Sequence, residues 1–252
     1  MLHAAAAILI LRFVFPRVAP ARRRALNRWW AAKLLRIVGV AVSLEGDPPS
    51  ATRAGEGVMI AANHISWLDI FVVQAVRPTR FVAKSEVRDW PLAGWIAERA
   101  GTLFIRRGLR RDTARINERV HEALAQGDCV GIFPEGTTTE GDQLLKFHSS
   151  LFEPAVANSA RVHACAIRYA HADGSLCRAI AYAGELSFMQ SLGLVIRQRG
   201  VVARVRFGDA IPTEGVTRRE VAAAARARVA NLLGLEPDSE LRRACDPAAA
   251  RP

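Results

Sequence analysis

The chain has 252 residues, half of them apolar and 23% charged. That balance excludes a fibrous or disordered chain and suits one α/β unit with a large core. Its 35 Lys and Arg against 24 Asp and Glu leave a net charge of +11, which asks for an anionic partner: nucleic acid, a membrane surface or a phosphorylated substrate. Only three of the bases are lysines (Lys33, Lys84 and Lys146), so part of the excess reflects an arginine-rich composition. Cys129, Cys165, Cys177 and Cys245 are widely spaced with no C-x-x-C pair. Neither a disulfide framework nor a zinc site is suggested, which fits a reducing compartment.

The charge is concentrated at one end. Up to Leu44 there are eight basic residues (Arg12, Arg17, Arg22, Arg23, Arg24, Arg28, Lys33, Arg36) and no acidic one, and the rest of the chain nets only +3. Ala4–Phe15 is an apolar run of 12 residues broken by Arg12, whereas a spanning helix needs about 20. A signal peptide would carry its charge before the run, not after it. The next stretch, ARRRALNRWWAAKLLRIVGV, has helical spacing. Leu26, Trp30, Leu34 and Ile37 share a face, with Trp29 and Val38 at its flanks, Arg24, Arg28 and Arg36 opposite, and Lys33 near the apolar edge. Such a helix either lies in a membrane interface or packs on its own domain. The apolar dozen before it and the absence of acids favour the membrane.

Beyond the turn-rich Glu45–Pro49 junction, short β-rich runs alternate with helical patterns. Strands are expected at 58–62, 80–83, 102–105, 129–133, 162–168, 179–183 and 201–207, and helices at 67–76, 92–100, 112–126, 152–159 and 217–233. The order predicts one α/β domain with a mixed, largely parallel sheet flanked by helices. The expected organisation is a basic membrane-association segment over 1–44, a catalytic domain over 45–235 and a frayed tail over 236–252.

In such sheets chemistry gathers where strands end and helices begin. Asn63-His64-Ile65-Ser66-Trp67-Leu68-Asp69 follows the apolar run VMIAA. If the helix starts near Ser66, Asp69 on its first turn can fold back to hold the His64 imidazole. That pairing makes a general base without a serine, so the attacking hydroxyl would belong to the substrate. Ser66-x-x-Asp69 reads equally as a helix-start capping box. Phe133-Pro134-Glu135-Gly136-Thr137 ends the run CVGIF in a turn that offers N–H groups, a hydroxyl and a carboxylate to polyol or phosphate oxygens. It could also be an ordinary strand-end loop. Gly101–Ile105 leads into Arg106 and Arg107 at a strand end, suited to gripping a phosphate, and Lys84 ends another strand of the same layer. His148, which follows the Phe133–Thr137 turn, either lines the site or is a surface residue.

Together and in order, NHISWLD, GTLFIRR, FPEGT and RVHACAIRY resemble the four-block signature of the glycerolipid acyltransferases, the 1-acyl-glycerol-3-phosphate O-acyltransferase family. The resemblance spans roughly Val58 to Tyr169, with 66 residues from Asp69 to Glu135 as in that family. In the fourth block Ala164 stands where the family commonly has Pro, which blurs acceptor identity. The resemblance implies that His64 is the general base, oriented by Asp69. Asn63, Lys84, Arg106, Arg107, Glu135, Gly136 and Thr137 would bind substrate. A lysophospholipid hydroxyl would attack an acyl thioester, either acyl-coenzyme A or acyl-carrier protein, with no metal or other cofactor. The expected reaction forms phosphatidic acid from 1-acyl-glycerol-3-phosphate at an anionic membrane, on the cytoplasmic face of the inner membrane. Lyso-ornithine lipid is the alternative acceptor, and a non-catalytic membrane-binding module the alternative class. Nucleic acid is not expected as a partner, since no nucleic-acid motif is present and aromatics make up only 7% of the chain.

Overall fold

A computed structural model describes residues 17–50, 55–85, 98, 101–105 and 110–235. In chain order the elements are α1 (Pro20–Ile37), β1 (Val40–Glu45), β2 (Val58–Ala62), α2 (Leu68–Val76), β3 (Arg80–Lys84), β4 (Leu103–Ile105), α3 (Arg110–Ala125), β5 (Cys129–Ile132), α4 (Glu153–Ala157), β6 (Arg161–Ala170), α5 (Phe188–Arg197), β7 (Val201–Ile211) and α6 (Arg218–Leu233). Seven strands form one sheet in the order β1-β7-β6-β2-β5-β3-β4. Only β6 and β7 run antiparallel, so the sheet is mixed and mostly parallel, as the alternating pattern predicts.

The central strand β2 shows why the chain folds this way. Its five residues are all buried, as befits a parallel strand covered on both faces. Met59 and Ala61 enter one core with α3, α4 and α6. Ile60 and Ala62 enter the other with α1, α2 and α5. The period-two alternation of side chains thus divides one apolar run between two helical layers.

Three expectations are refined or corrected. The apolar face of α1 is turned inward only in part, so it covers its own domain as well as leaving apolar surface for a membrane. Leu26, Trp30 and Leu34 are half-buried, Ala31 and Leu35 are buried, and the helix lies along α2, with Trp30 against Phe71 at 5.6 Å. The α2 sequence LDIFVVQAV is apolar nearly all round and needs that cover. Trp29 and Ile37 remain exposed, and Lys33 stands over the Trp29 ring at 5.1 Å. Second, the helical reading ran through Val40, but Gly39 adopts φ +80° and ends the helix. The following residues form β1, paired in register with β7. The boundary expected at residue 44 therefore falls inside a strand of the sheet. Third, 179–183 is no strand: Arg178–Ile180 is a single 3₁₀ turn, and α5 was not anticipated. Its signal was present as the capping box of Ser187 and Gln190, with Gly193 diluting the helical pattern. The helix expected at 92–100 and the tail from 236 lie outside the described residues, apart from Glu98 and its single helical position.

Candidate active site

The site is built where β2 and β5 end side by side. Beyond β2 the chain leaves the sheet as the loop 63–67 and enters α2, whose first turn carries Asp69. The Asp69 side chain is fully buried. Its Oδ2 accepts from His64 Nδ1–H at 2.8 Å and from the Ile65 and Ser66 N–H groups at 2.7 and 2.9 Å. Its Oδ1 accepts from the Tyr169 hydroxyl at 2.7 Å. Four donors and a helix amino end satisfy this carboxylate in the interior. Asp69 therefore ties down both the backbone at the helix start and the imidazole, but the capping box is only half made, because no side chain caps the helix. The Ser66 Oγ is buried and makes no hydrogen bond among the described residues.

The imidazole is clamped from a second direction. It stacks on Phe133 at 4.0 Å with planes 10° apart, and Phe133 stacks on Phe81 at 5.4 Å. With Nδ1 held by Asp69, the opposite nitrogen, Nε2, is the one left for chemistry. The His64 side chain keeps about a fifth of its surface exposed (21%), enough for a substrate hydroxyl to reach it.

Glu135 joins the two loops. Its Oε1 accepts from the His64 N–H at 2.7 Å and its Oε2 from the Leu145 N–H at 2.9 Å, while the Thr139 N–H donates to the His64 carbonyl at 2.9 Å. Burial pushes the Glu135 carboxyl up to about 7, against the pull of those two N–H groups. Asn63 does the equivalent toward β6. Its amide donates to the Ile167 carbonyl at 3.0 Å and accepts from the Ile167 N–H at 2.8 Å, and the residue is 1% exposed. The structure thus places Asn63 and Glu135 in the interior with their polar atoms engaged by backbone.

Gly136 sits at φ +75°, which lets the chain turn sharply after Glu135 and present Thr137 on the surface. Phe133, Glu135, Gly136 and Thr137 line a cleft of about 370 Å³ together with His148 and Leu151. Lys84 is the last residue of β3, paired with Ile105 of β4. Arg106 and Arg107 directly follow β4 and lie outside the described residues.

Sequence reasoning missed Tyr169. Burial and the Asp69 charge push its hydroxyl well above its ordinary value, so it stays protonated and donates to Asp69. The available signal was a tyrosine in an otherwise apolar strand, because a buried hydroxyl needs a partner. Phe133 and Phe81 were also missed as ring clamps.

Residues 44–168 match the Acyltransferase family profile. The chain is 40% identical over 229 residues to a lyso-ornithine lipid O-acyltransferase of Pseudomonas aeruginosa, covering 90% of this chain and 85% of that one. It is also 40% identical over 166 residues to a 1-acyl-sn-glycerol-3-phosphate acyltransferase of Neisseria meningitidis, covering 66% of this chain and 64% of that one. The crystal structure of the 1-acyl-sn-glycerophosphate acyltransferase PlsC from Thermotoga maritima has the same fold, with a TM-score of 0.60 at 17% identity over 94% of this chain and 96% of that one. The extent and identity of these matches, over the segment that carries the buried His–Asp pair, place the chain in the PlsC-type acyltransferase family, as an enzyme of lipid acyl transfer.

Proposed function

We propose that the chain transfers a fatty acyl group from an acyl thioester to the free hydroxyl of lyso-ornithine lipid. The observation that carries this reading is the extent of the match. The similarity to the Pseudomonas enzyme runs over 90% of the chain, whereas the equally identical Neisseria enzyme aligns over 66%. Elements beyond the family-profile segment 44–168, which include α5, β7 and α6, are where acceptor-specific surroundings would differ. The Ala164 departure in the fourth block points the same way. Acceptance of 1-acyl-glycerol-3-phosphate is the second reading, supported by the 40% identity over 166 residues to the Neisseria enzyme.

In this mechanism His64 Nε2 takes the proton of the acceptor hydroxyl as its oxygen attacks the thioester carbonyl. Asp69 fixes the tautomer and stabilises the imidazolium that forms. The tetrahedral intermediate collapses with loss of the thiolate, which regains a proton from His64. Asn63 and Glu135 position the His64 loop, Thr137 faces the acceptor, and Lys84, Arg106 and Arg107 supply positive charge for an anionic group on donor or acceptor. Among the described residues no helix is long and apolar enough to cross a membrane. In this reading attachment is peripheral or monotopic, through the basic amphipathic α1, on the cytoplasmic face where acyl thioesters occur.

The test is an acceptor panel with purified protein and acyl-coenzyme A or acyl-carrier protein, followed by mass spectrometry of the lipids. Product from lyso-ornithine lipid is expected. Product from 1-acyl-glycerol-3-phosphate alone would select the second reading. His64→Ala should lower turnover by about 10²–10⁴, and retention of more than a few per cent would remove His64 as the base.

A further inference from the structure

We propose that α5 is a second membrane-docking element, which seats the His64 loop on an anionic bilayer alongside α1. This rests in one respect on the reading above, namely that the acceptor is a lipid. Among the described residues the exposed large apolar side chains are Trp29, Ile37, Leu44, Met189 and Ile196. Four of the five belong to α1 and α5. Met189 and Ile196 are the starkest on α5, at 70% and 55% exposure. They are seven residues apart and so share one helix face. Gly193 lies between them on that face, and a Cβ built there would meet nothing within 4 Å. The other side of α5 is fixed to the domain: Ser191 and Val195 are fully buried, and the Ser191 Oγ accepts from Trp67 Nε1–H at 3.1 Å.

A line of aromatic contacts connects the two helices. Trp30 of α1 meets Phe71 at 5.6 Å, Phe71 meets Trp67 at 6.1 Å, and Trp67 meets Phe188 of α5 at 5.1 Å. Both helices cover the same face of the sheet, and Trp67 is three residues from His64. The charge matches an anionic lipid surface. Neither helix contains an acid, α1 exposes Arg22, Arg24, Arg28, Lys33 and Arg36, and Arg197 and Arg199 close α5. Apolar side chains at the level of the lipid tails, with cations at the level of the headgroups, are what an interfacial helix requires. A bilayer-borne acceptor would then enter beside Trp67.

The experiment is flotation with phosphatidylcholine–phosphatidylglycerol vesicles, using the full chain, a Met189→Glu/Ile196→Glu double variant and, as a control on the opposite helical layer, Ala223→Glu. The double variant should lose at least about tenfold in vesicle partitioning. It should also lose turnover on vesicle-borne lyso-lipid while keeping turnover on a short-chain, water-soluble one. Ala223→Glu should match wild type. Partitioning of the double variant within about twofold of wild type overturns the proposal.

Ile196→Cys in a Cys245→Ala background, labelled with an environment-sensitive fluorophore, gives a readout independent of the double variant's folding. A blue shift on vesicle addition, quenched by spin-labelled lipid, supports docking, and an unshifted spectrum overturns it. A concentration-dependent dimer abolished by the double variant, with vesicle binding unchanged, would assign the face to a second copy of the chain and equally overturn it. Docking without acylation of any lyso-lipid by the wild type would instead defeat the acceptor reading and leave the docking surface standing.

Discussion

Replacing Asp69 separates its structural task from its chemical one. In Asp69→Ala the Ile65 N–H, the Ser66 N–H and the Tyr169 hydroxyl lose their acceptor. Ile65, Ser66 and Tyr169 are no more than 2% exposed, so water does not replace the carboxylate freely. Each orphaned donor costs about 1–3 kcal/mol, or about 3–9 kcal/mol together, with any water admitted to the new cavity pulling toward the lower end. That is a large share of the roughly 5–15 kcal/mol by which a domain is stable. Asp69→Asn behaves differently. Its amide oxygen can take the place of Oδ2 and keep the three donors there, while the amide nitrogen meets the Tyr169 hydroxyl, which turns to accept. The fold survives, but the charge that stabilises the imidazolium is gone, and kcat falls by about 10²–10⁴. Thermal unfolding followed by circular dichroism, with thiol release as the activity readout, checks both. Asp69→Ala should unfold at least about 6 °C below Asp69→Asn. Equal melting temperatures, or an Asp69→Asn enzyme with more than about a tenth of wild-type turnover, would refute the reasoning.

Asn63→Ala should lower the melting temperature because it unpairs both backbone groups of Ile167, at about 1–3 kcal/mol each; a raised KM with unchanged stability would mean that Asn63 contacts substrate. Tyr169→Phe leaves Asp69 Oδ1 without a donor and should cost about 1–3 kcal/mol of stability and lower kcat more than it changes KM, measured by steady-state kinetics beside denaturant unfolding. For Glu135 the folded carboxyl binds its proton up to about 7 against an ordinary 4.5. The folded state therefore holds a proton that the unfolded chain has already lost, and stability falls as pH rises through that window, then levels off. The effect is bounded by about 3 kcal/mol. Unfolding free energies measured between pH 4.5 and 8 should show that decline in wild type and a shallower one in Glu135→Gln, and parallel curves would remove Glu135 as its source.

The parts of the site legible in sequence are those set by neighbours along the chain. His64 and Asp69 are five residues apart, and their pairing follows once the helix is started after His64. The Phe133–Thr137 turn is written in its Pro and Gly. What was not legible depends on contacts across the fold. Tyr169 reaches Asp69 over 100 residues and Asn63 reaches Ile167 over 104, and nothing in local spacing announces either. A substrate-binding role for Asn63 and Glu135 is what the family resemblance implies, and their hydrogen bonds to backbone are a second task that the motifs do not announce. Their engagement by the backbone follows from register, since β2 lies between β5 and β6. The partly inward turn of α1 was not legible for a related reason. An apolar stripe states that something covers it, and only the neighbouring α2 decides what.

The arrangement also bears on where the reacting hydroxyl comes from. The serine nearest His64 in sequence, Ser66, has its Oγ buried with the residue at 0% exposure, on the inner side of a loop that Asp69 holds shut. The Thr138 hydroxyl donates to the Tyr182 carbonyl at 2.5 Å, and Thr139 is buried with its hydroxyl directed at the His64 and Gln143 carbonyls. None of the three is poised to attack a carbonyl carbon, because a nucleophile needs an accessible oxygen within reach of its base. The base is therefore held rigidly by Asp69, Phe133 and Glu135 while the hydroxyls beside it on the chain are engaged or buried. Thr137, on the exposed side of the turn, is the exception and faces the cleft. A site with a fixed base, an open cleft and, among the described residues, no committed nucleophile suits direct transfer to a hydroxyl that arrives with the acceptor. Quenching a single turnover with acid should then leave no acyl group on the protein. An acyl adduct on Thr137 would replace direct transfer with a two-step mechanism.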